Sequence, residues 1–150
     1  MPTRYAEPAP AYPLVSATAV MIHQLALDLY QCVGAVWAIV ATRNLDELAP
    51  LCVYGQAPNL DATLRHSESL LSRDVFSSDR DTITELESPA ASWTPHIVCP
   101  TFVRNEIAGA LIFSPKGSPD GYRIEEKELV REFARHISKL LHKDPMAGCR

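Results

Sequence analysis

Two apolar, β-rich runs, residues 96–103 and 107–113, stand three residues apart and are joined by Arg104-Asn105-Glu106. So short a link makes them an antiparallel hairpin, and asparagine suits it because it tolerates the left-handed backbone that a tight turn needs. The chain therefore contains an antiparallel sheet, and the remaining elements are read around this pair.

Upstream, Leu14, Met21, Leu25 and Leu29 recur near helical spacing and are flanked by Val15, Ile22 and Ala26, which predicts a helix over residues 14–30 with one wide buried stripe. Gly34 breaks it. Residues 35–42, rich in Val, Ile and Trp, and the short run 51–54 before Gly55 predict a second hairpin joined through residues 43–50. Residues 56–92 are polar, with a weak helical pattern at Leu60, Leu64, Leu70 and Leu71 and a short strand at 82–86. A last helix shows Leu129, Phe133, Ile137 and Leu140 or Leu141 on one face. Glu125 and Glu126 lie in its first turn and Lys139, His142 and Lys143 in its last, matching the helix dipole, and Pro145 marks its end.

The order helix, hairpin, variable middle, hairpin, helix predicts an α+β fold: an antiparallel β-sheet with the N- and C-terminal helices on one face and the variable helix/loop region over the other, where a pocket can form. Residues 1–13 hold Pro2, Pro8, Pro10 and Pro13 and read as a flexible segment, 14–143 as one domain, and 144–150 as a tail. A length of 150 residues suits one domain with its own core.

Charge and cysteine usage narrow the function. The net charge of −4 is spread over intermixed signs, so no field draws in a nucleic-acid backbone. Cys32, Cys52, Cys99 and Cys149 lie far apart without a Cys-x-x-Cys pair, which points to free thiols in a reducing compartment, the cytoplasm. Residues 8–27 are uncharged but contain three prolines, Ser16, Thr18, His23 and Gln24, a poor membrane span and a poor signal peptide. The expectation is a cytoplasmic module with no direct membrane insertion, or the soluble part of a larger, membrane-anchored protein.

Pro100 in the first strand of the late hairpin, Ala108-Gly109-Ala110-Leu111 in the second, and Tyr122 followed by Glu125-Glu126 opening the last helix form a pattern over residues 98–141 that resembles the C-terminal half of GAF domains. Residues 14–55 resemble the first third of such domains more loosely, and Ser114-Pro115-Lys116 is similar to the loop that follows the final strand in GAF modules of bacterial signalling proteins. Gly109 permits a close approach inside the sheet. Arg123 departs from the pattern, standing where a Ser or Thr cap is usual. There is no clean version of the Asn-Lys-Phe-Asp-Glu set of cyclic-nucleotide binders and no Cys-His dipeptide of bilin carriers, so the resemblance implies neither ligand.

The residues offer little catalytic chemistry. His96 and Cys99, three apart in a strand, point to opposite faces, and Cys99 reads as a core thiol. The five histidines, His23, His66, His96, His136 and His142, share no metal-ligand spacing, and no Gly-rich phosphate loop is present. Trp37, Tyr54, His66, Phe76, Trp93 and His96 are the candidate walls of a ligand pocket, against the plainer alternative that the tryptophans are core. The resemblance implies a non-catalytic sensory or regulatory domain, without catalytic, cofactor or metal residues, that binds a small molecule and signals through its terminal helices, most simply as a homodimer. A dimerisation module without ligand expects Trp37 and Trp93 tightly packed. A free methionine sulfoxide reductase-like enzyme expects Cys52 and Cys99 to meet across the sheet.

Overall fold

The computed structural model describes residues 17–44, 47–71, 84–85, 95–104, 106–116 and 121–143. In chain order these form α1 (Ala17–Val33), β1 (Trp37–Asn44), β2 (Glu47–Gly55), α2 (Leu60–Leu71), β3 (Thr84–Glu85), β4 (Ile97–Val103), β5 (Glu106–Phe113) and α3 (Ile124–Lys143). The five strands make one antiparallel sheet in the order β2-β1-β5-β4-β3. The two hairpins thus meet through β1 and β5, which pair from Ala38–Phe113 to Thr42–Gly109.

Strand alternation sorts the apolar residues onto two faces. Ala38, Val40, Tyr54, Leu111 and Phe113 join Ile22, Leu29 and Val33 of α1 and Val130 and Ile137 of α3 in one core, while Trp37, Ile39, Ala41, Ala110 and Ile112 pack with Leu64, Leu70 and Leu71 of α2 in another. The terminal helices therefore share one face and α2 covers the other, as the sequence implies. Central β1 is buried on both faces from Trp37 to Thr42, which is why Trp37–Ala41 reads as an unbroken apolar run.

Several boundaries differ from expectation for identifiable reasons. The β2 strand starts at Glu47 rather than Leu51 and takes in Pro50, because β2 is an edge strand and a bulge between Val40 and Ala41 accommodates the imino acid. The α1 helix runs on to Val33, where Gly34 turns left-handed at φ 71° and its N–H closes on the Tyr30 carbonyl at 3.2 Å. In the late hairpin it is Arg104, at φ 53°, that takes a left-handed conformation; Asn105 lies outside the described residues. Only Thr84–Glu85 of the strand expected at 82–86 is described, and the segments 1–13 and 144–150 lie outside the described residues. Arg123 offers no side-chain cap to α3, but its N–H donates to the Glu126 carboxylate at 2.8 Å, the inward-reaching half of a capping box.

Edge strand β2 is closed by α2, which is capped at its start by Asn59 Oδ1 accepting the Ala62 N–H at 3.1 Å. Glu68 accepts the Leu48 N–H at 2.7 Å, and Arg65 donates to the Leu48 carbonyl at 2.8 Å while pairing with Glu47 at 2.7 Å and Glu68 at 2.9 Å. Two side chains thus satisfy the outward backbone groups of a buried residue in place of another strand. Glu68→Ala strands the Leu48 N–H and is expected to cost about 1 to 2 kcal/mol in urea unfolding. An unchanged urea midpoint would show that the clamp is ornamental.

Candidate functional site

One end of the sheet gathers the start of β1, the end of β2, the residues before β4 and the end of β5. Here a cleft of about 140 Å³ is lined by Val36, Trp37, Gln56, Pro58, Ser114 and Pro115. Trp37 is 1% exposed and forms its apolar wall, and Ser114, equally buried, organises its backbone. The Ser114 Oγ accepts the N–H groups of Val36 at 2.9 Å and Trp37 at 3.0 Å, and the Ser114 N–H donates to the Trp37 carbonyl at 3.0 Å. A serine that ends an apolar strand is buried here because it completes the β1–β5 ladder with its side chain.

Both terminal helices are hydrogen-bonded to this cleft wall. Tyr30 of α1 donates its hydroxyl to the Val36 carbonyl at 3.1 Å. Tyr122, which leads into α3, donates to the Ser114 carbonyl at 2.6 Å. Lys116 ties the same loop to α3 through both Glu126 carboxylate oxygens at 2.7 and 2.8 Å, and its ammonium lies 5.2 Å from the centre of the Tyr122 ring. Burial works to raise the Glu126 carboxyl, but the Arg123 N–H and the Lys116 ammonium outweigh it and hold it below the usual carboxylate range. Burial, then the Glu126 charge, pushes the Tyr122 hydroxyl well up, and burial likewise raises Tyr30, so both remain protonated donors.

Of the four sequence candidates among the described residues, Trp37, Tyr54, His66 and His96, only Trp37 lines this cleft. Tyr54 lies at the same end but on the other face: Trp37 pairs with Gly55 and Ala38 with Tyr54, so the two rings point away from each other. The Tyr54 hydroxyl is buried under α1, donating to the His23 carbonyl at 3.2 Å and lying 2.9 Å from His23 Nδ1, with Tyr30 stacked 5.6 Å away. Burial, then the Cys52 thiol beside it, drives its ionisation far out of reach. His66 sits half-buried on α2, and His96, half-buried before β4, lies 5.2 Å from the Tyr122 ring. Phe76 and Trp93 lie outside the described residues. Sequence reasoning placed Ser114 and Tyr122 in the family pattern but not in the site; the signal was present in a serine between an apolar strand and Pro115, and in an aromatic residue just ahead of a helix.

The register also corrects the idea that two core thiols meet. Cys52 pairs with Val40, Val40 with Leu111, and Leu111 with Cys99, so the two cysteines are three strand spacings apart, about 14 Å. A disulfide needs Cα atoms within about 7 Å. Redox chemistry that relays between Cys52 and Cys99 has no geometry here. Among the described residues, no cluster of His, Cys, Asp and Glu could hold a metal, and no helix is long and apolar enough to cross a membrane.

No protein-family model matches the sequence, and no curated protein does. Solved structures do resemble the fold. The GAF domain/HD domain protein from Geobacter sulfurreducens aligns with a TM-score of 0.62 at 16% identity, over 85% of this chain and 94% of that one. The GAF3 domain of Slr1393 from Synechocystis sp. PCC6803, in its photoproduct state, aligns with a TM-score of 0.63 at 10% identity, over 87% and 96%. The GAF-B domain of DevS from Mycobacterium smegmatis aligns with a TM-score of 0.59 at 18% identity, over 85% and 95%. Identities this low speak to architecture alone, but the likeness spans nearly all of each neighbour and most of this chain. With its terminal helices on one face of the sheet and α2 on the other, the chain has the fold of a GAF domain.

Proposed function

We propose that the chain is a non-catalytic sensory or regulatory module that binds a small molecule at the Trp37 cleft and passes its occupancy to α1 and α3. The observation that carries this reading is the hydrogen bonding of the cleft wall to both terminal helices, Tyr30 to the Val36 carbonyl and Tyr122 to the Ser114 carbonyl. A ligand that displaces Val36–Trp37 relative to Ser114–Pro115 stretches those bonds, so it binds one helix arrangement better than the other, which is the condition for a switch. The cleft is below the range of about 300 to 1,000 Å³ usual for drug-sized ligands, so its occupant is a molecule of few heavy atoms. The surroundings of such a module are the cytoplasm of a bacterial cell, where Cys32, Cys52 and Cys99 stay reduced. Its assembly is a homodimer through the terminal helices, where Val20 and Met21 of α1 are 45% and 52% exposed.

A second reading, a dimerisation module without ligand, draws support from the near-complete burial of Trp37 and the small size of the cleft. Native mass spectrometry of the purified protein, under gentle and then denaturing conditions, separates the two. The sensory reading expects a retained non-protein mass that is lost in Gln56→Trp, which fills the cleft from its exposed rim. A clean apo dimer favours the dimerisation module, and a retained mass indifferent to Gln56→Trp would place the ligand elsewhere and overturn the cleft as its site.

A further inference from the structure

Around the Trp37 cleft the polar groups of the wall are already bonded within the protein. The Ser114 hydroxyl, the one hydroxyl among the lining residues, accepts the Val36 and Trp37 N–H groups at 2.9 and 3.0 Å and donates to the Pro115 carbonyl at 2.9 Å. A serine hydroxyl has one proton and two lone pairs, so its capacity is used up. The Ser114 N–H goes to the Trp37 carbonyl, while the carbonyls of Val36 and Ser114 receive Tyr30 and Tyr122. Pro58 and Pro115 bring rings and no N–H. None of the lining residues is charged, and Lys116, which follows Pro115, is engaged by both Glu126 oxygens. That leaves the side-chain amide of Gln56, exposed at the rim, as the polar side chain through which the cleft meets an occupant.

We propose that the occupant of this cleft is a neutral, largely apolar molecule the size of a single six-membered ring, with at most one hydrogen-bonding group; the inference rests on the cleft being the ligand site. An anion finds no donor there beyond the Gln56 amide, and a cation finds no carboxylate, so either would leave water without a partner to replace it. Nor does an aromatic face stand in for a carboxylate: Trp37 is the one aromatic residue in the lining and, at 1% exposed, presents too little of its ring to attract a cation. A neutral ring gives up little hydration and meets Val36, Pro58 and Pro115, which ask for no hydrogen bond in return. Size points the same way. An apolar hollow of about 150 Å³ holds one benzene, and the cleft measures about 140 Å³. Because the cleft opens to solvent, binding is modest in strength, and the Gln56 amide distinguishes a ring that carries one hydroxyl from a bare one.

The test is titration of the ¹⁵N-labelled full chain at pH 7 with isosteric pairs that differ in charge, toluene against N-methylpyridinium and nitrobenzene against benzoate, and with phenol. The expected result is saturable amide shifts at Val36, Trp37 and Ser114 for the three neutral rings, with half-saturation at about 1 mM, and binding at least about tenfold weaker for each ion than for its neutral counterpart. Phenol should bind about threefold tighter than toluene and lose that advantage in Gln56→Ala. All of these shifts should vanish in Gln56→Trp, and in Val36→Phe, which fills the cleft from a second exposed rim position and serves if the first variant does not fold. An ion that binds at those amides as well as its neutral isostere, and is lost in the filled variants, would overturn the neutral class and leave the cleft standing as the ligand site. Shifts that persist in both filled variants would overturn the cleft itself. Absence of shifts from all three neutral rings would overturn the class, with the retained mass and its loss in Gln56→Trp still deciding the cleft.

Discussion

Gly109→Ala is expected to destabilise the protein by about 3 kcal/mol or more and to lower its melting temperature by about 10 °C. Gly109 lies in β5 between Thr101 of β4 and Thr42 of β1, in the middle of the sheet. A Cβ built there would sit 2.2 Å from the Ala41 carbonyl oxygen and 3.1 Å from Thr42 Cα, both backbone atoms of the neighbouring strand. No rotamer change relieves such a contact, so β1 must move away from β5 at the seam that joins the two hairpins. Because a domain of this size is stable by only about 5 to 15 kcal/mol, the loss is a large part of the total. Differential scanning calorimetry checks it, and a variant that melts within a degree or two of the parent would mean that β1 and β5 do not approach as described.

The second large effect is expected at the start of α3. Lys116 and Glu126 are 15% and 8% exposed and bonded through both carboxylate oxygens, so Lys116→Met leaves a buried carboxylate whose nearest remaining cation is the exposed Arg123, 3.6 Å away. Breaking such a pair from one side is expected to cost about 2 to 3 kcal/mol at neutral pH. The sign with pH follows from Glu126, whose folded pKa is depressed. Its contribution is complete above the unfolded carboxyl value of about 4.3 and is lost as pH falls through the lower folded value. Parent and variant should therefore differ in urea midpoint at pH 7 and converge toward pH 3, and adding Glu126→Gln to Lys116→Met should restore most of the loss at pH 7. A difference that persists unchanged at pH 3 would mean that Lys116 acts by packing on Tyr122 and not by pairing.

How far the fold was legible depends on where each signal resides. The late hairpin, both terminal helices and the helix pattern from Leu60 to Leu71 were readable because alternation and helical spacing are local properties, imposed by burial on one face at a time. Residues 47–50 of β2 were not, because Pro50 argues against a strand unless one knows that the strand is at an edge. The cap of α3 was missed for a related reason: Arg123 looks like a failed cap until Glu126 is seen reaching back, and Glu126 is held in place by Lys116, ten residues away in sequence.

The candidate site was less legible than the fold. Residue type alone singled out Trp37 and Tyr54, both of which are buried at the same end of the sheet, yet one residue of register places them on opposite faces. Aromatic character says that a ring is to be buried, but not against what. The same holds for Cys52 and Cys99: their burial was expected, and their separation by three strand spacings follows from the strand order β2-β1-β5-β4. Ser114 shows in the sequence only as a serine between an apolar strand and a proline, since its role is to receive the Val36 and Trp37 N–H groups from 78 and 77 residues away.

By itself, then, the sequence determined the elements, the two hairpins, the pairing of the terminal helices on one face and the placement of the middle helix on the other. These follow from periodicity and from the need of every apolar face for cover. The tertiary structure alone decided which hairpin strands adjoin, which aromatic residue meets the cleft, and that Tyr30 and Tyr122 tie both helices to its wall. The physical reason is that burial is a one-body preference that each residue carries with it, whereas register and hydrogen-bond partnership are properties of pairs that come together only when the chain closes on itself.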